Sequence, residues 1–168
     1  MARTVVFAVH STASVEQIHH AFCDERYWRA RLKKFGGFGT LETLAVGQDG
    51  TATVVVSQNL RPESLPSLVS RFFPREWKVV QSETWRPVAA DRVEGEVTIT
   101  TYGAPGAGSG RILVCPTPSG ARLDCTATVT FNVPLVGGSV EAVMGKLLAQ
   151  QIGVIGKFTT MWIAESVA

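Results

Sequence analysis

Ala121-Arg122-Leu123-Asp124-Cys125-Thr126-Ala127-Thr128-Val129-Thr130-Phe131-Asn132-Val133 alternates apolar and polar residues without a break. Ala121, Leu123, Cys125, Ala127, Val129, Phe131 and Val133 fall on one face, and the residues between them fall on the other. Period-two alternation over such a length specifies a half-buried antiparallel strand. A helical pattern follows from Ser139 to about Glu165, roughly 40 Å long at about 1.5 Å per residue. A long last strand leading into a long last helix sets the frame that the rest of the chain must complete.

Upstream, residues 3–11 read as a first strand. Ser14 with Gln17 three residues on makes a capping-box pattern for a helix to about Cys23, and Asp24 is placed to cap a second helix reaching about Phe35. Strands follow at 40–47 and 51–60, joined by the turn Gly47-Gln48-Asp49-Gly50. Leu65, Leu68, Val69, Phe72 and Phe73 repeat at helical spacing between Pro66 and Pro74, which predicts a short helix or ordered loop covering something. Further strands are expected at 76–86, 91–102, 110–116 and 120–133. The glycine-rich stretch 103–110 reads as a flexible linker between strands, too short to divide domains.

In the last helix, turns of 100° place Val140, Val143, Met144, Leu147, Val154, Ile155, Phe158, Met161 and Trp162 on one broad apolar stripe. Gln151 sits within it, and a buried amide without partners costs about 1–3 kcal/mol. The opposite face, with Ala142, Gly145, Ala149, Gly153 and Gly156, is unusually small. Close approach of another backbone is one reading of those glycines, and tolerance on a solvent face is the other.

At 168 residues the chain reads as a single domain, able to bury roughly 70% of the surface its unfolded form exposes. An apolar fraction of 45% with 18% charged residues fits a folded protein with a generous core. A net charge of +2 is too small to argue for nucleic acid or an anionic membrane as partner. No apolar run approaches the roughly 18–20 residues of a membrane span, and Thr4–Val9 is too short for a signal-peptide core. Three cysteines, an odd count, fit reduced thiols and a cytoplasmic location.

The segment from Ser14-Val15-Glu16-Gln17-Ile18 through Phe22-Cys23-Asp24-Glu25-Arg26-Tyr27-Trp28 resembles the first two helices of the START-like superfamily, the SRPBCC or polyketide cyclase-like group. Glu83-Thr84-Trp85 and Val133-Pro134-Leu135-Val136-Gly137-Gly138 are similar to an uncharacterised actinobacterial branch of it. The resemblance covers nearly the whole chain. It implies an α+β helix-grip fold: a curved antiparallel sheet of six or seven strands around the C-terminal helix, with two short helices after the first strand. It also implies a cavity between sheet and helix able to take a hydrophobic small molecule. Fold of this kind does not determine activity.

On the strand at 76–86, Trp77, Val79, Gln81, Glu83 and Trp85 share one face. With that face inward, Gln81 and Glu83 enter the cavity beneath two tryptophans, and few polar groups in an apolar cavity is the composition of a ligand site. Glu83 is the one candidate acid/base, with pairing to an arginine at the sheet rim as its ordinary alternative. Expected ligand contacts are Gln81, Glu83, Trp85, Tyr102, Gln151, Phe158 and Trp162, with Leu68, Phe72 and Phe73 in a lid formed by residues 61–75. Trp28, Phe72, Phe73 and Trp162 also suit the core, and Tyr102 belongs to an outward register at a strand end.

His19, His20 and Cys23 lie close along one helix, but two facing ligands do not make a zinc site, and no metal is expected. The glycines at 103–110 lack a Lys-Ser/Thr ending and lead into a strand, so no phosphate cradle and no cofactor are expected. Three readings remain: a binder of a hydrophobic, lipid or polyketide-like molecule; a cyclase, dehydratase or hydrolase using Glu83, with Tyr102 or Gln151 polarising a carbonyl; and an interaction protein with a filled cavity, dimerising through Gly145, Gly153 and Gly156.

Overall fold

The alternating stretch forms strand β7 (Gly120–Phe131) of a seven-stranded sheet in the computed structural model, which describes residues 2–36, 39–72 and 75–167. The other strands are β1 (Ala2–Ser11), β2 (Thr40–Val46), β3 (Ala52–Leu60), β4 (Trp77–Ala89), β5 (Arg92–Tyr102) and β6 (Gly106–Thr117). All neighbours pair antiparallel in the order β1-β7-β6-β5-β4-β3-β2, so the first strand closes onto the last across the whole length of the chain. Ala121, Cys125, Ala127, Val129 and Phe131 are buried as the alternation requires.

Helices α1 (Val15–Phe22) and α2 (Glu25–Arg31) connect β1 to β2. Ser14 Oγ accepts the Gln17 N–H while Gln17 Oε1 accepts the Ser14 N–H, a complete capping box. Asp24 caps α2 through the Arg26 N–H at 2.8 Å. Beyond Arg31 the helix widens into a π-helical turn, Leu32–Gly36. The first core cluster gathers Ile18, Phe22, Tyr27 and Trp28 against Trp85, Val93 and Val114 of the sheet.

One expectation fails here. The glycine-rich stretch is not a linker: residues 106–110 are the first half of β6 and pair on both sides, with β5 and β7. Long neighbouring strands supply the hydrogen bonds that the glycines' own preferences would not secure. Only Gly103 to Pro105 remain as the turn, with Gly103 at φ +90°. As expected of a short helix covering the core, residues 61–72 form a 3-10 turn (Pro62–Ser64) and one short helix, α3 (Ser67–Ser70). This segment covers a second core cluster of Val69, Trp77, Val79, Phe131 and Val140.

The C-terminal helix α4 (Gly137–Ser166) lies chiefly on β1 and then on β7. The face it turns to the sheet lies between the two expected ones, with Gly145 and Gly156 against β1 and Val140, Thr159 and Ile163 buried beside them. A Cβ at Gly156 would lie 2.6 Å from Val9 Cγ1, and one at Gly145 would lie 3.4 Å from Val5 Cγ1. Gly153 faces open space. Leu147, Val154 and Met161, assigned from sequence to the inward stripe, are exposed on the opposite side. The rest of the expected stripe does face inward: Val140, Val143 and Met144 join one core cluster, Phe158 and Trp162 pack on the other, and Ile155 lines the cavity, while Gly145 and Gly156 let the helix approach β1 closely. With Gly145 and Gly156 packed on β1, the dimer surface imagined through those glycines is lost.

Candidate functional site

A cavity of about 150 Å³ lies between the sheet and α4. Val97 and Ile99 of β5, Ile112 of β6 and Leu123 and Cys125 of β7 form its sheet wall. Leu148, Ile152 and Ile155 of α4 close it from the other side, and Ile18, Phe22 and Trp85 complete one end. A neighbouring chamber of about 120 Å³ lies against Trp28, Leu32, Phe35 and Val56, and the two share Arg31, Gln81, Gln151 and Ile155.

The first chamber exists partly because β6 contributes no side chain along part of its inner face. A Cβ added at Gly110 would meet only the Thr126 carbonyl oxygen at 3.5 Å and Val97 Cβ at 3.9 Å, ordinary contacts with room beyond. The alternation Gly106, Gly108, Gly110 in register with inward Ile112 and Val114 is therefore a signal in the sequence, hidden by reading glycine as loop.

One polar cluster breaks the apolar wall. Glu83, 2% exposed, receives hydrogen bonds on both oxygens. Oε1 accepts from Arg31 Nη2 at 3.0 Å and from Gln81 Nε2, while Oε2 accepts from Trp85 Nε1 at 2.9 Å. Arg31 comes from the end of α2, its side chain 15% exposed, with its guanidinium carbon 4.7 Å from the centre of the Trp28 ring. Burial pulls the Arg31 pKa down, but the charge of Glu83 and the facing Tyr27 hydroxyl more than offset it and hold the guanidinium above its ordinary value.

Tyr27, fully buried, has its pKa raised by desolvation. Its oxygen lies 2.7 Å from Thr159 Oγ1, which donates its own proton to the Ile155 carbonyl at 2.8 Å. The Tyr27 O–H is thus the donor of the pair, and its oxygen is left facing Arg31. Cys125, in the cavity wall, has its thiol pushed up to about 11 by burial, with the Asp124 charge adding to it. The thiol stays protonated at neutral pH and is a poor nucleophile.

Of the expected ligand contacts, Gln81, Glu83, Trp85 and Gln151 line the chambers. Gln151 is an exposed residue at the shared wall, so its amide meets solvent and is not the buried orphan anticipated. Tyr102 stands outside, 57% exposed. Phe158 and Trp162 pack as core against Tyr27, with ring centres 6.1 and 5.4 Å away. Leu68 and Phe72 line neither chamber, Phe72 being 39% exposed, and Phe73 lies outside the described residues.

Glu83 does pair with an arginine, but a half-buried one at the wall between the two chambers rather than one at the sheet rim. Arg31 was missed because its partner lies 52 residues away. The basic residue three positions after Trp28 was the one local hint of a cation stacked on that ring. His19 Nε2 lies 2.7 Å from the Gly50 carbonyl oxygen, tying α1 to the β2–β3 turn.

Among solved structures, the chain is similar to Ara h 8.0201, with a TM-score of 0.60 at 9% identity over 98% of this chain and 99% of that one. It is also similar to a START superfamily protein from Mycobacterium smegmatis, with a TM-score of 0.54 at 13% identity over 96% and 98%. These likenesses show the START-like helix-grip fold. An uncharacterised protein of Mycobacterium tuberculosis strain H37Rv is 32% identical over 174 residues, spanning 99% of this chain and 100% of its own length. The family model described as "Protein of unknown function (DUF2505)" matches residues 7–163. With that match over nearly its whole length, on a START-like frame, the chain belongs to the DUF2505 family.

Proposed function

We propose that the protein binds a hydrophobic small molecule between the sheet and α4. The observation that carries this reading is the apolar cavity of about 150 Å³ with one buried polar cluster set in its wall. Burying apolar ligand surface there supplies affinity at roughly 25 cal/mol per Å², and the polar groups orient the ligand. The START-like fold is compatible with such a role. Of the two ligand types anticipated, the volume favours a compact, polyketide-like ring over a lipid chain.

Thermal-shift screening against fatty acids, aromatic polyketides and smaller aromatic compounds tests the reading. A ligand-dependent rise in Tm by at least one class is expected, and no shift with any of them refutes it.

Catalysis by Glu83 has less support, since both of its oxygens are engaged by protein donors and Tyr102 stands away from the cavity. No helix among the described residues is long and apolar enough to cross a membrane. A cytoplasmic location stays part of the proposal, supported by the three free thiols.

A further inference from the structure

We propose that the ligand is a one- or two-ring aromatic compound bearing a neutral oxygen acceptor, a ketone, ester or quinone carbonyl, which the Arg31 guanidinium receives. This rests on the cavity-binding reading and specifies its ligand.

Size comes first. A cavity near 150 Å³ holds about one benzene-sized ring, and drug-sized or lipid ligands occupy roughly 300–1,000 Å³. The inner chamber is about 150 Å³ and the second about 120 Å³. One ring fills the first, and a second ring or short substituent reaches the other past Arg31. Shape agrees: Phe22 and Trp85, packed on each other with ring centres 4.3 Å apart, give the chamber's end an aromatic lining.

The polar group follows from what Arg31 has left. A guanidinium carries five N–H donors. One contact goes to Glu83 Oε1, and the Tyr27 oxygen faces another. The remaining donors are not among the buried unpartnered atoms and so stand open to the chambers, both of which Arg31 borders. A ligand oxygen at that boundary takes the place of solvent as their acceptor.

Charge selects a neutral oxygen. Arg31 and Glu83 already cancel within the site, and the other arginine at its margin, Arg111, pairs outside with Glu94 and Glu96. A ligand carboxylate would leave one buried negative charge without a counter-ion. A carbonyl takes the charge-assisted hydrogen bond without that desolvation cost.

The test compares acetophenone, ethylbenzene, benzoate and palmitate by calorimetric titration of the full chain. Acetophenone is expected to bind at least about tenfold more tightly than ethylbenzene, the worth of one hydrogen bond from a charged donor, and more tightly than benzoate. In the double variant Arg31→Met/Glu83→Gln, which removes both charges together, acetophenone and ethylbenzene should bind within about twofold of each other. Gly110→Val, which puts a side chain into the chamber, should weaken both ring compounds at least about tenfold. If the double variant does not fold, the wild-type order and Gly110→Val decide.

Equal binding of acetophenone and ethylbenzene overturns the proposal. So do benzoate binding tightest, a preference that survives the double variant, and ring binding indifferent to Gly110→Val. Palmitate binding without any ring compound overturns the ring assignment and leaves the cavity-binding reading standing; binding of none of the four overturns both.

Discussion

Glu83 is held from three sides, and the energetics of that arrangement are asymmetric. Removing one partner of a buried ion pair costs about 3–5 kcal/mol, because a charge is left buried and alone, whereas replacing both is often neutral. Arg31→Met should therefore lower the unfolding free energy by about 3–5 kcal/mol in urea titrations, and adding Glu83→Gln should restore most of the loss. A single variant as stable as the double would show that water, not Arg31, compensates the carboxylate. Asp24 offers a pH test. Hydrogen bonds from the Arg26 side chain are the main reason its pKa lies below the ordinary aspartate value, outweighing partial burial. A depressed folded pKa means a contribution present above the unfolded pKa and lost as pH falls through the folded one. Asp24→Ala should cost about 1 kcal/mol at neutral pH, and the gap between variant and wild type should narrow only below about pH 5, as pH falls through the unfolded aspartate pKa and then the depressed folded one.

At the scale of elements, α4 shows how a helix chooses its buried face. Leu147, Val154 and Met161 are larger and more apolar than Gly145 and Gly156, yet they are the exposed ones. Placing glycines against Val5 and Val9 lets the helix axis sit close to β1, and Ser11 Oγ and Thr160 Oγ1 then meet at 2.7 Å to pin the pair. Two glycines three residues apart should respond oppositely to alanine. Gly153→Ala, facing open space, should add about 0.5–1 kcal/mol through helix propensity. Gly156→Ala, facing Val9 Cγ1 at 2.6 Å, should lose about 1–3 kcal/mol to overpacking despite the same propensity gain. Paired thermal melts check this, and a like response from both would mean that the helix rides farther from β1. Strand β4 uses the same device inward, since the Trp85 ring covers Gly95, its cross-strand partner, where a Cβ would collide with it.

For the whole molecule, the sheet order makes β2 and β1 the edges and pairs β7, β6, β5, β4 and β3 on both sides. β2 is paired on one side only, has a register break between Leu41 and Thr43, and shows a mostly exposed face. Its amides should exchange with deuterium fastest among the strands, and those of β7 and β6 slowest, as read by exchange mass spectrometry. Uniform protection across the sheet would contradict this. The two core clusters lie toward different ends of the sheet, with the cavity bordering the larger. A fold that keeps a void there forgoes packing contacts, which is consistent with the cavity being the part of the molecule kept for a ligand.

Much of this architecture was legible locally. The alternation at Ala121–Phe131, the capping box at Ser14 and Gln17 and the Gly47–Gly50 turn each carry their own physical instruction, set by residues within a few positions of one another. The inward face of β4, with Gln81, Glu83 and Trp85, was legible for the same reason: strand periodicity is local. Tertiary structure decided the rest. It made a strand of Gly106–Gly110 by supplying neighbours on both sides, and it rotated α4 so that Gly145 and Gly156 lie against β1. It moved Tyr102 and Leu68 away from the site. It also brought Arg31 to Glu83 across 52 residues of chain, a pairing that depends on where the α2 helix lands on the sheet and that no spacing in the sequence encodes.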